Sequence, residues 1–374
     1  MPRLLLACLL IGLLVRPAAA AFDTAAEEAI LIDLTAGTVL FEKGADRPIP
    51  PASMSKIMTA YMVFKRLKAG DLSLDDTFPV SEKAWRKGGS KMFVEVGDRV
   101  AVRDLLRGVI VQSGNDASIV LAEGIAGSEA AFADLMNREA EELGLSNSNF
   151  ANATGWPDPD HRMSVRDLAT VASVLIQDYP EYYGFYSETE FTWHEITQSN
   201  RNPLLYRNIG ADGLKTGHTE EAGYCLTASA LRGDRRLVMV VAGLENVRQR
   251  AEESERLLEW GFREFTAQRL FETGEVVEQA EVWLGESDSV PLVMAEEAVM
   301  ALRRNDRDDV VVTVSYEGPI PAPIAAGDRL ATLTVEAPDM PSRSFPLLAG
   351  EAVDKLGPVG RLIAGVKHLI LGEL

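Results

Sequence analysis

The chain has 374 residues, 47% of them apolar and 25% charged, with 30 glycines and 18 prolines. This composition excludes a disordered chain, a collagen repeat and a helical membrane bundle, and at this length about two domains are expected. Acidic side chains outnumber basic ones by 56 to 37, a formal net charge of −19, which disfavours nucleic acid as a partner.

The first twenty residues fit a secretory signal peptide: Arg3 supplies a positive start, Leu4 to Leu14 an apolar stretch, and Ala18-Ala19-Ala20 a small-residue cleavage site. Cleavage would remove two arginines and no acid, taking the net charge from −19 to −21 and leaving Cys225 as the only cysteine. An intramolecular disulfide is thereby excluded, and a lone thiol inside the apolar run Tyr224 to Ala230 reads as a core residue. Two β-rich runs follow, Ala29 to Leu34 and Thr38 to Phe41, joined as a hairpin across Gly37. From Ser53 to Lys68 the apolar spacing is helical. So is the stretch Asn115 through Leu145, with breaks expected at Gly124, Gly127 and Gly144. A second strand pair, Tyr224 to Leu231 and Arg236 to Ala242, turns at Gly233-Asp234, and an amphipathic helix runs from about Arg250 to Phe265. Strands at both ends of a helical middle predict an α+β domain, residues 21–265, with an antiparallel sheet flanked by helices.

Beyond Phe265, the short β runs Val276-Val277, Val282-Trp283-Leu284, Val310 to Val314 and Leu330 to Val335 predict a small all-β domain, residues 266–355. The last segment, residues 356–374, gathers Leu362, Ile363, Val366, Leu369 and Ile370 on one helical face. It is too short and polar to span a bilayer and fits an amphipathic helix lying on a membrane surface, with docking on the β domain as the alternative.

Chemistry concentrates at three places. Ser53-Met54-Ser55-Lys56 puts a serine and a lysine three apart at the start of a predicted helix, on one face. A serine hydroxyl needs a base, and a lysine serves if its amine is neutral; the helix N-terminus and a nearby cation both push in that direction. Ser113-Gly114-Asn115 lies between an apolar run and a helix start, and Lys215-Thr216-Gly217 opens onto a strand. One S-x-x-K occurs by accident in a chain this long, whereas S-x-x-K, S-x-N and K-T-G in that order are specific.

This motif set resembles the penicillin-recognising serine acyltransferases, and S-G-N as the middle motif is similar to the low-molecular-mass D-alanyl-D-alanine carboxypeptidases. Gly89 to Phe93, Gln112 to Ala117, Asp212 to Thr219 and Ala222 to Tyr224 extend the resemblance over almost the whole chain. It implies a β-lactamase/transpeptidase-like fold, a Ser53 nucleophile, Lys56 as its base and Ser113 as proton relay to the leaving amine. Asn115 would hold the substrate amide, and Lys215 would orient Ser113 and help depress the pKa of Lys56. The backbone N–H groups of Ser53 and His218 would form an oxyanion hole. Thr216, Arg201 and Arg250 would receive the terminal carboxylate, and Gly217 would leave room for a peptide paired along an edge strand. The implied partners are the peptidoglycan stem pentapeptide, β-lactams as covalent inhibitors and a membrane surface through the tail, at the periplasmic face of the inner membrane. No metal or organic cofactor is implied: the four histidines make no ligand pair, and neither C-x-x-C nor H-E-x-x-H occurs.

Other readings remain open on the sequence. A DD-endopeptidase would share all three motifs. A β-lactamase needs a positioned glutamate, and Glu142-Leu143-Gly144-Leu145-Ser146 misses E-x-x-L-N at its last position. A non-catalytic peptidoglycan-binding scaffold would be expected to have lost Ser53, Lys56 or Lys215. Asn152 to Pro157 departs from relatives that carry a His-Gly pair there, so the helper to deacylation is undetermined. His218 as the base of a Ser-His-Asp triad lacks the G-x-S-x-G that would accompany it.

Overall fold

The computed structural model describes residues 22–304, 306 and 309–363. The predicted signal peptide and residues 364–374 of the predicted tail helix lie outside these described residues.

Five antiparallel strands form the main sheet, in the spatial order Thr38–Lys43, Glu28–Asp33, Arg235–Leu244, Gly223–Arg232, Ala211–Thr219. The two-residue period of a strand divides their side chains between two cores. Ile30, Val238 and Val240 join the larger core with the Lys56–Ala69 and Val165–Asp178 helices. Ala29, Leu31, Met239 and Val241 face the other way, toward Leu257 and Leu258 of the Val247–Glu264 helix. Register follows from this sorting, with Ile30 opposite Val240 and Leu31 opposite Met239. A one-residue slip would exchange the two faces. Residues Lys56 to Phe64 of the Lys56–Ala69 helix are all buried, so this part of it runs through the core instead of over it, and Lys65, Arg66 and Lys68 follow where it emerges.

Three local expectations are corrected. The helix expected from Ser53 begins at Lys56; Ala52–Ser55 forms a tighter 3-10 turn, entered through a left-handed Ala52 (φ 48°). Gly124 does not break the Asn115–Ala126 helix: a Cβ there would stand 2.2 Å from the Phe78 ring, so the glycine answers to packing. Only Gly127, left-handed at φ 78°, ends that helix. The helix expected from Arg250 starts at Val247, because the Asn246 side chain accepts from Gln249 N at 2.9 Å and caps it, and it ends at Glu264. Phe265 is already strand, fully buried in the second core.

Beyond it, Phe265–Phe271 pairs with Ala298–Arg303, and a six-stranded sheet carries its own core of Ala280, Leu292, Leu333, Phe345 and Leu347. The runs at Val276 and Val282 belong to one strand, Val276–Trp283, with an irregularity in place of a break. Arg343 ties this region to the first hairpin by donating to Ala36 O, and to Val299 O at 2.8 Å. At the end of the described chain, residues 358–363 are helical, with Val359, Leu362 and Ile363 exposed.

Candidate active site

The 3-10 turn sets Ser53 half-buried at the mouth of the core, and one turn later the Lys56 side chain is fully buried beneath it. Lys56 Nζ donates to Ser53 Oγ at 3.0 Å, to Asn115 Oδ1 at 2.8 Å and to the Thr154 carbonyl at 2.6 Å. Three acceptors match the three donors of an ammonium, so the amine is fixed in direction. Burial pushes its pKa down to about 7, with Arg201 and Lys87 acting in the same direction and Asp116 against it. Desolvation, and not the helix terminus or Lys215 expected from the sequence, is the largest cause. Lys215 is itself held well below the lysine range by burial and by Lys56, Arg201 and Arg250.

Ser113 sits just beyond the Val102–Ile110 helix in a left-handed conformation (φ 59°), which Gly114 N stabilises by donating back to Gly108 O at 2.8 Å. Its hydroxyl is buried without a hydrogen-bond partner among the described residues. The expected Lys215–Ser113 contact is replaced: Lys215 Nζ donates to the Thr216 carbonyl of its own strand at 3.1 Å. Asn115 uses both ends of its amide, accepting from Lys56 and donating to Gly88 O at 2.8 Å. The neighbouring Asp116 carboxylate accepts from the backbone N–H groups of Met92, Phe93 and Val94 at 2.8, 2.8 and 3.3 Å, clamping that loop onto the helix.

Lys215, Thr216, Gly217 and His218 occupy the Ala211–Thr219 strand, which among the described residues pairs only with Gly223–Arg232 and leaves its other edge unpaired. Gly217 makes room on the protein side: a Cβ there would lie 3.0 Å from Pro51 O and 3.1 Å from Met54 Cγ, so the glycine lets the strand approach the Ser53 turn. The His218 ring is exposed and lies 3.9 Å from that of Tyr224, centroid to centroid. Arg201 donates to Ser90 Oγ, while Arg250 is buried over the Tyr224 ring at 5.8 Å with its Nε unpartnered. Among the described residues, Lys56, Lys215, Arg201 and Arg250 form no ion pair, and the four basic side chains converge with Asp116 as the carboxylate whose field reaches Lys56. Burial lowers the pKa of both arginines, and each cation raises the cost of the others.

Residues outside the motifs complete the site. Thr154 O is the shortest acceptor of Lys56, and Asp116 fixes the loop that Asn115 touches; only its place beside Asn115 hints at that role. His161 sits beneath the turn, its Nε2 2.8 Å from Ser55 Oγ, while its Nδ1 accepts from Ala151 N at 3.2 Å. Those partners fix a neutral ring with the proton on Nε2, and burial pushes its pKa down to about 4. His194 lies away from the site, stacked on Trp193. Asp158 and Asp160 form a turn, Asp160 N donating to Asp158 Oδ1 at 2.9 Å. Cys225 is buried, its thiol pushed up to about 11.

A buried lysine with its pKa pushed down to about 7 and bonded to a serine hydroxyl is an arrangement suited to serine acyl transfer with an amine as base. A family model described as D-alanyl-D-alanine carboxypeptidase matches residues 15–246, and one described as penicillin-binding protein 5, C-terminal domain, matches residues 265–355. The chain belongs to the D-alanyl-D-alanine carboxypeptidase family and is a serine-type D-alanyl-D-alanine carboxypeptidase. It is 40% identical over 341 residues to D-alanyl-D-alanine carboxypeptidase DacC of Escherichia coli, covering 89% of this chain and 85% of that one. It is 34% identical over 337 residues to DacF of Bacillus subtilis, covering 89% and 87%. The structure of penicillin-binding protein 5 from Haemophilus influenzae matches with a TM-score of 0.85 at 35% identity, over 90% of this chain and all of that chain. Penicillin-binding protein D2 from Listeria monocytogenes, solved in an ampicillin-bound form, matches with a TM-score of 0.60 at 31% identity, over 65% of this chain and all of that one.

Proposed function

We propose that Ser53 is the acylated nucleophile of this carboxypeptidase and that its substrate is the peptidoglycan stem pentapeptide. Neutral Lys56 takes the Ser53 proton as Oγ attacks the carbonyl of the penultimate D-alanine, and the backbone N–H groups of Ser53 and His218 hold the oxyanion. Collapse of this intermediate breaks the C–N bond. The proton passes through Ser113 to the departing D-alanine amine, and water then hydrolyses the Ser53 ester to release the shortened peptide. The observation that carries this reading is the 3.0 Å Lys56–Ser53 hydrogen bond to an amine with a pKa of about 7, which leaves roughly half of it neutral at pH 7. The unpartnered Ser113 hydroxyl and the unneutralised Arg201, Arg250 and Lys215 support roles toward an incoming amine and carboxylate, with Thr216 beside them.

β-Lactams acylate the same serine in this reading, which the ampicillin-bound form of the Listeria protein supports as far as binding of the drug. The chain is exported, loses residues 1–20, and rests on the periplasmic face of the inner membrane through residues 356–374. No described helix is long and apolar enough to cross a bilayer, and the exposed Val359, Leu362 and Ile363 support a surface anchor. The test pairs the mature protein with Ser53→Ala against a fluorescent penicillin and an acyl-D-Ala-D-Ala peptide. Labelling and D-alanine release by the first alone are expected; release by Ser53→Ala would overturn the assignment. Rapid turnover of the penicillin adduct would point to a β-lactamase, and cleavage of cross-linked dimers alone to an endopeptidase. Ending the chain before Pro358 should move it from the membrane to the soluble fraction with activity intact, and continued membrane association would refute the anchor.

A further inference from the structure

Two pieces of backbone must agree for the Ser53–Lys56 hydrogen bond to form. Ser53 rides on the Ala52–Ser55 turn, while the Lys56 amine is also held by Thr154 O at 2.6 Å, from a loop far along the chain. A neutral amine has two N–H donors and one lone pair. For the lone pair to face Ser53 Oγ, both N–H groups must be taken up elsewhere, and Asn115 Oδ1 and Thr154 O are the acceptors in place. Where Thr154 stands relative to the turn therefore sets the direction of the base.

The loop that carries Thr154 is braced from several sides. Asn152 Oδ1 accepts from Thr154 N at 3.1 Å and from Trp156 N at 3.0 Å, closing a tight turn. Thr59 Oγ1 donates to Ala153 O at 2.7 Å, and Glu129 Oε1 accepts from Ala153 N at 3.3 Å. Those last two bonds tie the loop to helices, not to the Ser53 turn. Against the turn, Gly155 is pressed so closely that a Cβ would stand 1.8 Å from Ala52 O, a contact that keeps the two apart. Among the described residues one side chain bonds to both: His161 Nδ1 accepts from Ala151 N at 3.2 Å, and its Nε2–H donates to Ser55 Oγ at 2.8 Å. The ring is buried and meets that of Phe150 edge-on, centroids 5.6 Å apart, so packing fixes its orientation. Protonation would set an Nδ1–H against the Ala151 N–H; burial, Lys56 and Arg162 oppose that charge, and Asp158 favours it.

We propose that His161 is a positioning residue for acylation. It is a neutral strut that fixes the spacing between the Ser53 turn and the loop bearing Thr154 O, and through that carbonyl it turns the Lys56 lone pair toward Ser53. The inference rests on the proposed roles of Ser53 and Lys56.

The test follows acylation by a fluorescent penicillin in single-turnover stopped flow, where the labelled amplitude counts folded protein and the rate constant reports the site. His161→Phe keeps the packing against Phe150 and loses both bonds. Its saturating acylation rate constant is expected to fall about 10- to 100-fold, the upper figure being the scale of a 1 Å misplacement at reacting atoms. The acid limb of its pH profile should move below that of the unmutated enzyme, because an ammonium that loses the Thr154 acceptor is harder to charge. Ser55→Ala cuts the strut at its other end by deleting one oxygen, and should also slow acylation. The double variant should be no slower than His161→Phe alone, since both changes break one connection. Rate constants unchanged in both single variants, an acid limb left in place in His161→Phe, or losses that multiply in the double variant would overturn the strut while leaving Ser53 and Lys56 assigned. No labelling of the unmutated protein would overturn the reading of the site and the strut with it.

Discussion

Asp116→Asn separates the mechanical from the electrostatic role of a residue that no motif names. The carboxylate is fully buried and accepts from three loop N–H groups and from Ala117 N at 2.9 Å. An asparagine keeps one acceptor oxygen and turns an NH2 toward the remaining donors, so one or two charge-assisted bonds are lost at about 1.5–3 kcal/mol each. About 3 kcal/mol of destabilisation is expected, or roughly 6–12 °C in Tm for a domain of this size. The negative charge also raises the Lys56 pKa. Its removal lets burial, Arg201 and Lys87 act unopposed, so Lys56 titrates at lower pH and the acid limb of kcat/KM for penicillin acylation moves down. Differential scanning fluorimetry gives the first quantity, and a pH series of acylation rates well below the variant's Tm gives the second. An unchanged Tm would refute the clamp, and an acid limb displaced upward would refute the electrostatic argument.

In the unmutated enzyme the acylation rate should climb between pH 6 and 8 with a midpoint near the Lys56 value of about 7, measured by stopped-flow labelling; a limb near 10 would show that Lys56 is not the base. Gly155→Ala places a Cβ 1.8 Å from Ala52 O at a residue with φ of +73°, forcing the Ser53 turn to move. Acylation should fall at least about 100-fold, the scale of a 1 Å misplacement at reacting atoms, in protein whose circular dichroism still shows a fold. His161 has a folded pKa of about 4, below its usual 6.5, so only the unfolded chain binds that proton between them. Stability therefore falls as pH drops through this window, by up to about 3 kcal/mol from this group. Urea titrations should show a shallower pH dependence between pH 6.5 and 4 in His161→Gln, and an unchanged slope would refute the neutral buried imidazole.

The three motifs were legible because each is local: the chemistry of Ser53, Lys56, Ser113 and Lys215 is carried by residues one to three apart, and helical or strand spacing says which side chains share a face. The hairpins Ala29 to Leu34 with Thr38 to Phe41 and Tyr224 to Leu231 with Arg236 to Ala242 were legible too, whereas the pairing of the first hairpin with the second came from the fold. What escaped were effects of packing partners distant in the chain. Gly124 reads as a helix break until Phe78, 46 residues earlier, is seen against it. Asn246 starts its helix by a side-chain cap that leaves no mark in apolar periodicity.

The sequence by itself determined the two hairpins of the sheet, the order of the chemical motifs and the family they resemble, because spacing and alternation are properties of the chain alone; the edge strand Ala211–Thr219 came only with the resemblance. Only the tertiary structure decided what lowers the Lys56 pKa, since it depends on desolvation and on charges brought from Arg201, Lys87 and Asp116. It likewise decided that Thr154 O completes the lysine's hydrogen bonds, and that Arg201, Arg250 and Lys215 form no ion pair among the described residues. Electrostatic energy depends on distance and on burial, and neither exists until residues far apart in the chain are folded against one another.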